Sequence, residues 1–384
     1  MEQAYIVDAL RTPIGKRGGA LSGLHPADMA AHVIREMVDR VGIDPLAIDD
    51  VIFGCLDTVG SQAGNIARTA ALAAGLPESV PAVTIDRQCG SSQQSVQFAA
   101  QAVMSGTQDL VLAGGVQKMS QYPILCSYRA GAEFGATDPF SGSAGWHARY
   151  GDAEISQFWA SDTIAEQWGL RREDLDAFAL ESHRRAGVAT SEGRFDREIA
   201  PLADLTRDEA IRPDTSLEKL AGLRSLREGG VTTAGSSSQI ADAASVVMVA
   251  SETALRTHGL VPRARIHHVS VVGSDPIMLL TGPIAATRRA LAHTGISIDD
   301  IGLFECNEAF APVVLAWMKE LGVQHAKVNV NGGAIALGHP TGASGARIMA
   351  TLLTEMERTH VRYGLQTMCE GGGQANVTIL ELCE

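Results

Sequence analysis

Two stretches of this sequence repeat each other at a fixed distance along the chain. Residues 48–53, which read IDDVIF, follow a Gly-Ile pair at 42–43, and residues 298–304, which read IDDIGLF, follow a second Gly-Ile pair at 295–296. Asp49 corresponds to Asp299, an offset of 250 positions, and the same offset carries Cys89 onto His339. Because self-similarity at a fixed period indicates repeated structural units, the sequence predicts two similar halves whose loops meet at one shared crevice.

Each half alternates short β-rich runs with helical patterns, which is typical of α/β layers. The predicted strands are 4–9, 110–113, 263–272, 301–305 and 364–368, and the predicted helices are 27–41, 283–292 and 345–357. The stretch from 121 to about 240 differs, because it is rich in charge and glycine and has its clearest helix at 172–188. We therefore expect an N-terminal half at 1–120 that is completed by about 241–262, an inserted loop domain at 121–240, and a C-terminal half at 263–384.

The charge and composition narrow the class of protein. The net charge is −13, whereas binding to nucleic acid requires a basic surface. Hydrophobic residues make up 45% and charged residues 20%, the balance of a soluble globular protein. No run approaches the roughly 18 apolar residues of a spanning helix, and the first residues are not those of a secretory signal. We expect a cytoplasmic protein without membrane insertion and without a nucleic-acid partner.

The six cysteines are too widely spaced for a disulfide framework, and none forms a close metal-binding pair. We therefore expect free thiols and no metal. Cys89 stands between a β-like stretch and a helix start rich in small residues. A thiol there faces the N-terminal end of the helix dipole, which stabilises a thiolate and lowers the pKa. The alternative is a buried structural cysteine, which is the commoner use of a single Cys.

A glycine-rich stretch surrounds His339. Residues 331–347 read NGGAIALGHPTGASGAR, and the glycines permit tight turns and close approach of the backbone to a ligand just before a helix. A phosphate-binding loop is the alternative, but the Walker and dinucleotide spacings are both missing. The pattern favours a loop that presents one histidine to a ligand.

Two shorter motifs carry further polar groups. Residues 369–376, which read CEGGGQAN, follow a predicted strand and can offer backbone N–H groups to an oxyanion. Taken alone, such a glycine run is more often a turn. Asn307 opens the stretch NEAFA at 307–311, where the alternative is an ordinary helix N-cap.

Together these four segments, with RTPIG at 11–15, resemble the signatures of the thiolase family in their order and spacing, and the resemblance covers essentially the whole chain. It implies an α/β, five-layered fold of two similar halves with an inserted loop domain over the site for coenzyme A (CoA). It also implies an acyltransferase, an acetyl-CoA acetyltransferase or 3-ketoacyl-CoA thiolase, that acts through an acyl-cysteine intermediate. CoA is then a co-substrate without metal, nicotinamide or flavin, acyl-CoA thioesters are the substrates, and the chain forms a homodimer or homotetramer.

The resemblance also implies roles for individual residues. Cys89 corresponds to the acyl-accepting nucleophile, His339 to its activating base and Cys369 to the cysteine that moves a proton to or from the substrate α-carbon. Asn307 corresponds to the residue that holds a water in one oxyanion hole with the histidine. The backbone N–H groups of Cys89 and Gly371 correspond to the other oxyanion hole.

Two residues are candidates for contact with CoA. Ser238 matches a family position that contacts the pantetheine arm. Arg224 lies just upstream, with Arg227, and could supply the cation that CoA phosphates need. Ordinary solvated surface charge is the alternative for each arginine.

Departures from the family pattern bear on the substrate. SQFWA at 156–160 stands where short-chain members often carry His-Met-Gly, and Gln93 and Gln94 follow the nucleophile. We expect a wider, partly polar acyl pocket, as in bacterial thiolases that break down bulky or steroid-derived thioesters. A ketosynthase-like condensing enzyme usually has a second histidine where Asn307 stands. A non-catalytic acyl-CoA-binding or lipid-binding relative is expected to lack Cys89, His339 or Cys369.

Overall fold

A computed structural model describes residues 2–136 and 138–383. Its strands are β1 Ala4–Arg11, β2 Gly15–Lys16, β3 Asp50–Gly54, β4 Ala82–Ile85, β5 Leu110–Lys118, β6 Ala241–Ser251, β7 Ala264–Gly273, β8 Ile301–Cys306, β9 Tyr363–Glu370 and β10 Gln374–Leu382. Nine of them follow one path of paired strands in the order β4-β3-β5-β6-β1-β7-β10-β9-β8, and β2 pairs with β6 beside it.

The strand order has an approximate twofold symmetry that the repeat predicts. The run β3-β5-β6-β1 corresponds to β8-β9-β10-β7, with β1 and β7 meeting at the centre. In each run the first pair is parallel and the next two are antiparallel. The join between β1 and β7 is short, with paired Cα positions only at Tyr5 and Ile6 of β1. Two similar α/β halves are therefore confirmed.

Helices cover both halves and also fill the space between them. They are α1 Pro26–Val41, α2 Ile66–Ala73, α3 Ser91–Ser105, α9 Glu252–His258, α10 Gly282–Thr294, α11 Ala311–Leu321, α12 Ala334–Leu337 and α13 Ser344–Thr359. One apolar core lies between α1, α2 and the N-terminal strands, and another lies between α10, α11 and the C-terminal strands. A third core joins α3 and α13 to strands of both halves. The result is five layers, with α3 and α13 in the middle.

The repeated sequence has a clear local cause. Gly42 ends α1 and Gly295 ends α10 in the left-handed conformation, at φ of 70° and 73°, which glycine adopts without steric cost. A short 3₁₀ turn follows each glycine, capped by the side chain of Asp44 in one half and Ser297 in the other. Strand β3 begins after the first turn and β8 after the second. Both halves therefore use the same glycine and 3₁₀ turn to lead the chain from a helix back into the sheet.

The central helices cross closely because one of them begins with glycine. Gly345, in the first turn of α13, faces the backbone of Gln93 in α3 so nearly that an added Cβ would overlap it. This crossing brings the N-terminal ends of the two helices together. The loops that carry Cys89 and His339 lead directly into those ends.

The chain between β5 and β6 forms the least regular part of the fold. Its helices are α4 Cys126–Ala130, α5 Ala144–Tyr150, α6 Gln157–Gln167, α7 Arg172–Ser191 and α8 Leu217–Ala221. Asp57, in the N-terminal half, holds its beginning by accepting hydrogen bonds from the backbone of Leu125 and Ser127. Within the described part of the chain, no helix combines the length and apolar character that crossing a membrane requires.

Candidate active site

One cavity of about 1110 Å³ collects residues that are distant in the sequence. Cys89, His339, Cys369, Gly371 and Ser238 all line it. The first two come from the loops before α3 and α13, which the twofold symmetry relates, and Cys369 and Gly371 come from the end of β9 and the turn after it. The shared crevice that the repeat predicts is therefore present.

The Cys89 loop is a tight turn between β4 and α3. Gln88 has a φ of +49°, a conformation that residues other than glycine rarely adopt. The hydroxyl of Ser91 accepts a hydrogen bond from the Arg87 backbone N–H at 2.9 Å and donates one to the Gln88 carbonyl at 2.6 Å. These bonds fix the turn that presents the thiol to the cavity. The backbone N–H groups of Cys89 and Gly371 are placed to stabilise its thiolate.

The environment of Cys89 nevertheless disfavours the thiolate. Burial, followed by the nearby Glu370 carboxyl, raises the pKa of the Cys89 thiol to about 12. The expected lowering of this pKa by the α3 dipole is wrong, because desolvation outweighs the backbone donors. In the protein without substrate the nucleophile is a neutral thiol.

His339 is held in one tautomer. Its Nδ1 lies 2.6 Å from the hydroxyl of Ser344, and that hydroxyl donates to the Pro340 carbonyl at 3.0 Å. Since the hydroxyl proton is used in this way, the hydroxyl oxygen accepts from Nδ1–H, and Nε2 is the basic nitrogen. Burial and then the charge of Arg347 lower the pKa of His339 to about 3. The imidazole is therefore neutral and able to accept a proton.

Asn307 lies beside the basic nitrogen of His339. Its Nδ2 is 3.3 Å from His339 Nε2, and its buried Oδ1 has no hydrogen-bond partner among the described residues. The residue that caps α11 is Phe310 and not Asn307, so the N-cap interpretation is wrong. Glu308 anchors this turn, because its carboxylate accepts bonds from Ser182 and from the Ile335 backbone.

Cys369 is the second thiol of the cavity. It is the next-to-last residue of β9 and is almost fully buried, and burial together with Cys89 raises its pKa well above the ordinary value. Cys89 acts on Cys369 through its charge, so the two thiols lie close together. Gly371 follows within two residues, and its N–H faces the Cys89 sulfur. The arrangement brings two thiols, a neutral imidazole and backbone N–H donors to one cavity.

The structure separates the two candidate CoA contacts. Ser238 lines the cavity, and its backbone N–H donates to the Ala309 carbonyl at 3.0 Å. Arg224 is exposed and is not among the residues that line the cavity, so it is not brought to the site. The cations that line the cavity are instead Lys16, Arg17 and Arg212. Sequence reasoning missed them, although Lys16 and Arg17 directly follow the RTPIG segment that carried part of the resemblance.

One part of the cavity wall is apolar and aromatic. Ser156, Gln157 and Phe158 line it as expected, whereas Gln93 and Gln94 do not. The side chains of both glutamines are buried in the middle layer, where Gln93 donates to the Thr378 hydroxyl at 3.0 Å, so their expected place in a polar pocket is wrong. The wall also includes five residues that sequence reasoning did not select: Leu125, Tyr128, Phe140, Leu279 and Phe310.

Comparisons with known proteins agree with this geometry. The family model described as "Thiolase, N-terminal domain" matches residues 4–253, and "Thiolase, C-terminal domain" matches residues 260–382. The steroid 3-ketoacyl-CoA thiolase FadA6 of Mycobacterium tuberculosis is 58% identical over 99% of this chain and 94% of its own length. The 3-ketoacyl-CoA thiolase of Escherichia fergusonii is 43% identical over 99% of this chain and 100% of its own length.

A solved structure leads to the same conclusion. The crystal structure of the Bacillus anthracis acetyl-CoA acetyltransferase has a TM-score of 0.88 and 36% identity, covering 100% of this chain and 99% of that one. Matching family models over both halves, close relatives over nearly full length and a shared fold are consistent with one another. This chain therefore belongs to the thiolase family, and it is an acyltransferase that carries out CoA-dependent thiolytic cleavage of a 3-ketoacyl-CoA.

Proposed function

We propose that this thiolase cleaves 3-ketoacyl-CoA substrates with a bulky, ring-containing acyl group, and that Cys89 carries the acyl group between two half-reactions. One observation carries the proposal. Cys89, His339 and Cys369 line a single cavity of about 1110 Å³ whose remaining wall is largely apolar and aromatic.

In the first half-reaction, His339 Nε2 takes the thiol proton as the Cys89 sulfur attacks the 3-keto carbon. A base and a nucleophile that are both neutral suit this step, since the proton moves only when the sulfur is consumed. The bond between C2 and C3 then breaks, and its electron pair forms the enolate of acetyl-CoA. Cys369 gives its proton to C2, which releases acetyl-CoA and leaves an acyl group on Cys89.

In the second half-reaction, the Cys369 thiolate takes the proton of the CoA thiol, whose sulfur attacks the acyl carbonyl. Cys89 leaves and recovers its proton from His339, so both residues return to their starting states. In this proposal, Asn307 with His339 stabilises one oxyanion, and the N–H groups of Cys89 and Gly371 stabilise the other. Stabilising such charges is usually the largest single contribution to catalysis of this type.

The size and lining of the cavity support a bulky acyl group. Pockets for drug-sized ligands are typically about 300–1000 Å³, and this one is larger. Tyr128 and Phe140 form an edge-to-face pair with ring centroids 6.3 Å apart, and Phe158 and Phe310 form another at 5.9 Å. Flat apolar surfaces of this kind suit fused rings, and FadA6, a relative, is named for steroid 3-ketoacyl-CoA.

The segment 121–240 acts in this proposal as the lobe that covers the CoA site, since it supplies much of the cavity wall. Assembly as a homodimer or homotetramer is also part of the proposal. The supporting observation is that β4 ends the path of paired strands with Val83 42% exposed, and unpaired edge strands are usually covered.

The test is a thiolysis assay with acetoacetyl-CoA and with linear, branched and ring-containing 3-ketoacyl-CoAs. We expect the ring-containing substrate to have the higher kcat/KM by about 10- to 200-fold, the range that apolar pocket contacts usually provide. A kcat/KM for acetoacetyl-CoA equal to or above that of every larger substrate would remove the substrate proposal and leave the thiolase assignment intact.

A further inference from the structure

Glu370 is a fully buried carboxyl group near the two thiols of the active site. It directly follows Cys369 at the end of β9. Its side chain packs on Gly90, the neighbour of Cys89, so closely that an added Cβ at Gly90 would overlap the carboxyl. Among the described residues, no lysine, arginine or histidine forms an ion pair with it. A carboxylate in such a place would oppose the thiolate of Cys89.

The direction of the hydrogen bonds around Glu370 can be assigned, because the series begins at a backbone carbonyl that can only accept. The side-chain Nε2 of Gln97 donates to the backbone carbonyl of Val377 at 2.9 Å, and a carbonyl can only accept. The Oε1 of Gln97 therefore faces outward and accepts from Asn376 Nδ2 at 3.2 Å. This leaves the Oδ1 of Asn376 facing the carboxyl oxygens of Glu370. Two acceptors meet there unless one of them carries a proton.

Turning the Asn376 amide does not resolve the conflict. Its Nδ2 would then donate to Glu370, but its Oδ1 would face Gln97 Oε1 at 3.2 Å. Turning Gln97 as well would bring its oxygen against the carbonyls of Val377 and Ser270, which now accept from its Nε2. A protonated Glu370 that donates to Asn376 Oδ1 gives each of the three side chains, Glu370, Asn376 and Gln97, a hydrogen-bond partner of the right kind. An ionised Glu370 leaves at least one pair of acceptors facing each other without a proton between them.

We propose that Glu370 is a neutral carboxylic acid in the working enzyme and acts as a positioning residue: its O–H is fixed by Asn376 while its carboxyl braces Gly90 and the Cys89 turn. The inference rests on the role of Cys89 proposed above. A neutral Glu370 places no negative charge next to the Cys89 sulfur, which must become anionic during the reaction. The hydrogen bond to Asn376 also leaves no buried polar atom of this group unpaired.

The ionisable groups around Glu370 agree with the neutral form. Arg87 is the cation that faces it and favours its ionised form, as does the Asn376 backbone N–H. Burial outweighs both and raises the pKa of Glu370 well above its ordinary value. The Arg87 guanidinium is already bonded to the Gln374 side chain at 2.5 Å. Cys89 and Cys369 are the other ionisable groups near it. Burial raises the pKa of both thiols, so they are neutral and place no charge beside Glu370.

The direct test is neutron diffraction from crystals of the unmodified enzyme exchanged into deuterium oxide at neutral pH. We expect a deuteron between Glu370 and Asn376 Oδ1, and the Asn376 ND₂ group directed toward Gln97. A Glu370 without a deuteron, accepting from the Asn376 ND₂ group, would overturn the proposal. This result does not depend on which cysteine is acylated, so it separates the proposal from the assignment of Cys89.

Variants test the positioning role. Glu370→Ala removes the brace on Gly90 and should lower kcat on the order of 10- to 100-fold, the scale of a small misplacement of a reacting group. Glu370→Gln presents the same donor and acceptor as the neutral acid and should recover most of that loss. The rate of alkylation of Cys89 at pH 7 should be the same in Glu370→Gln and the unmodified enzyme.

An ionised Glu370 predicts a different outcome for the same variants. Removing a negative charge beside Cys89 would raise the alkylation rate of Glu370→Gln at pH 7 by about tenfold or more, and kcat would not be recovered. Either finding would contradict the proposal. If Glu370→Ala does not fold, as judged by circular dichroism, the alkylation rate of Glu370→Gln and the neutron result still decide.

Discussion

The loops before α3 and α13 occupy equivalent places in the two halves, yet they do different chemistry. The Cys89 loop is short and is held mainly by Ser91, and its thiol remains partly accessible to the cavity. The His339 loop is almost completely buried, and the backbone N–H of His339 donates to the Gln239 carbonyl at 2.9 Å. In the proposed mechanism, the duplicated unit therefore supplies the acyl-accepting thiol on one side and the base on the other.

Burial shifts the pKa values of Cys89 and His339 in opposite directions, but it leaves both side chains uncharged. It raises the pKa of the Cys89 thiol and lowers that of the His339 imidazole, because in each case desolvation disfavours the ionised form. The pair is therefore neutral before substrate binds and differs from a thiolate–imidazolium pair. Charge separation is deferred to the reaction itself, where the oxyanion donors are available.

The largest expected effect comes from removing either member of the pair. Cys89→Ser and His339→Asn should each lower kcat for thiolysis on the order of 10⁴-fold or more, because nucleophile and base act as a unit. For the same reason the double variant should be no slower than the slower single variant. Independent, multiplying losses in steady-state assays would show that the two loops do not cooperate.

The next effect concerns the charge state of the pair. With a thiol pKa near 12, only a small fraction of Cys89 is thiolate at neutral pH, and this fraction grows about tenfold for each pH unit below the pKa. Alkylation of Cys89 by iodoacetamide in the absence of substrate should therefore keep rising with pH through the alkaline range. A plateau beginning below about pH 8 would indicate a preformed ion pair, since thiolates paired with imidazolium have pKa values below that range.

A smaller effect tests how the histidine is held. Ser344→Ala removes the acceptor of His339 Nδ1–H and should lower kcat about fivefold, the equivalent of about 1 kcal/mol for one hydrogen bond. Ser95→Ala is the matched control, because this buried hydroxyl bonds only to the Ser91 carbonyl within α3 and should leave kcat near the unmodified value. Equal losses in the two variants would mean that Ser344 does not select the tautomer.

The sequence predicts the strands and helices of the two halves well, because the signals that mark them are local. Each predicted strand and helix in them lies within an observed element, apart from the strand predicted at 263–272, which starts one residue before β7. The agreement is close because glycine caps and apolar periodicity are properties of neighbouring residues. The offset from Cys89 to His339 also predicts the shared cavity. The thiolase prediction is confirmed by the family models and relatives.

The errors arise where long-range packing decides. Gln93 and Gln94 are next to the nucleophile in sequence, but the helix turns both side chains into the layer between the halves. Arg224 lies near Ser238 in sequence, yet it is exposed outside the cavity. Tyr128 and Phe140 become part of the cavity wall only through the folding of an irregular segment, which no periodicity reveals. Local patterns carry no information about these placements.

The central claim is that Cys89 carries the acyl group, and one measurement tests it most directly. The enzyme is incubated with a 3-ketoacyl-CoA in the absence of free CoA, quenched in acid and digested, and the acylated peptide is mapped by mass spectrometry. The account predicts an acyl thioester on Cys89, with His339→Asn slowing its formation. An acyl group on Cys369 alone, or none on any cysteine while acetyl-CoA is released, would contradict it.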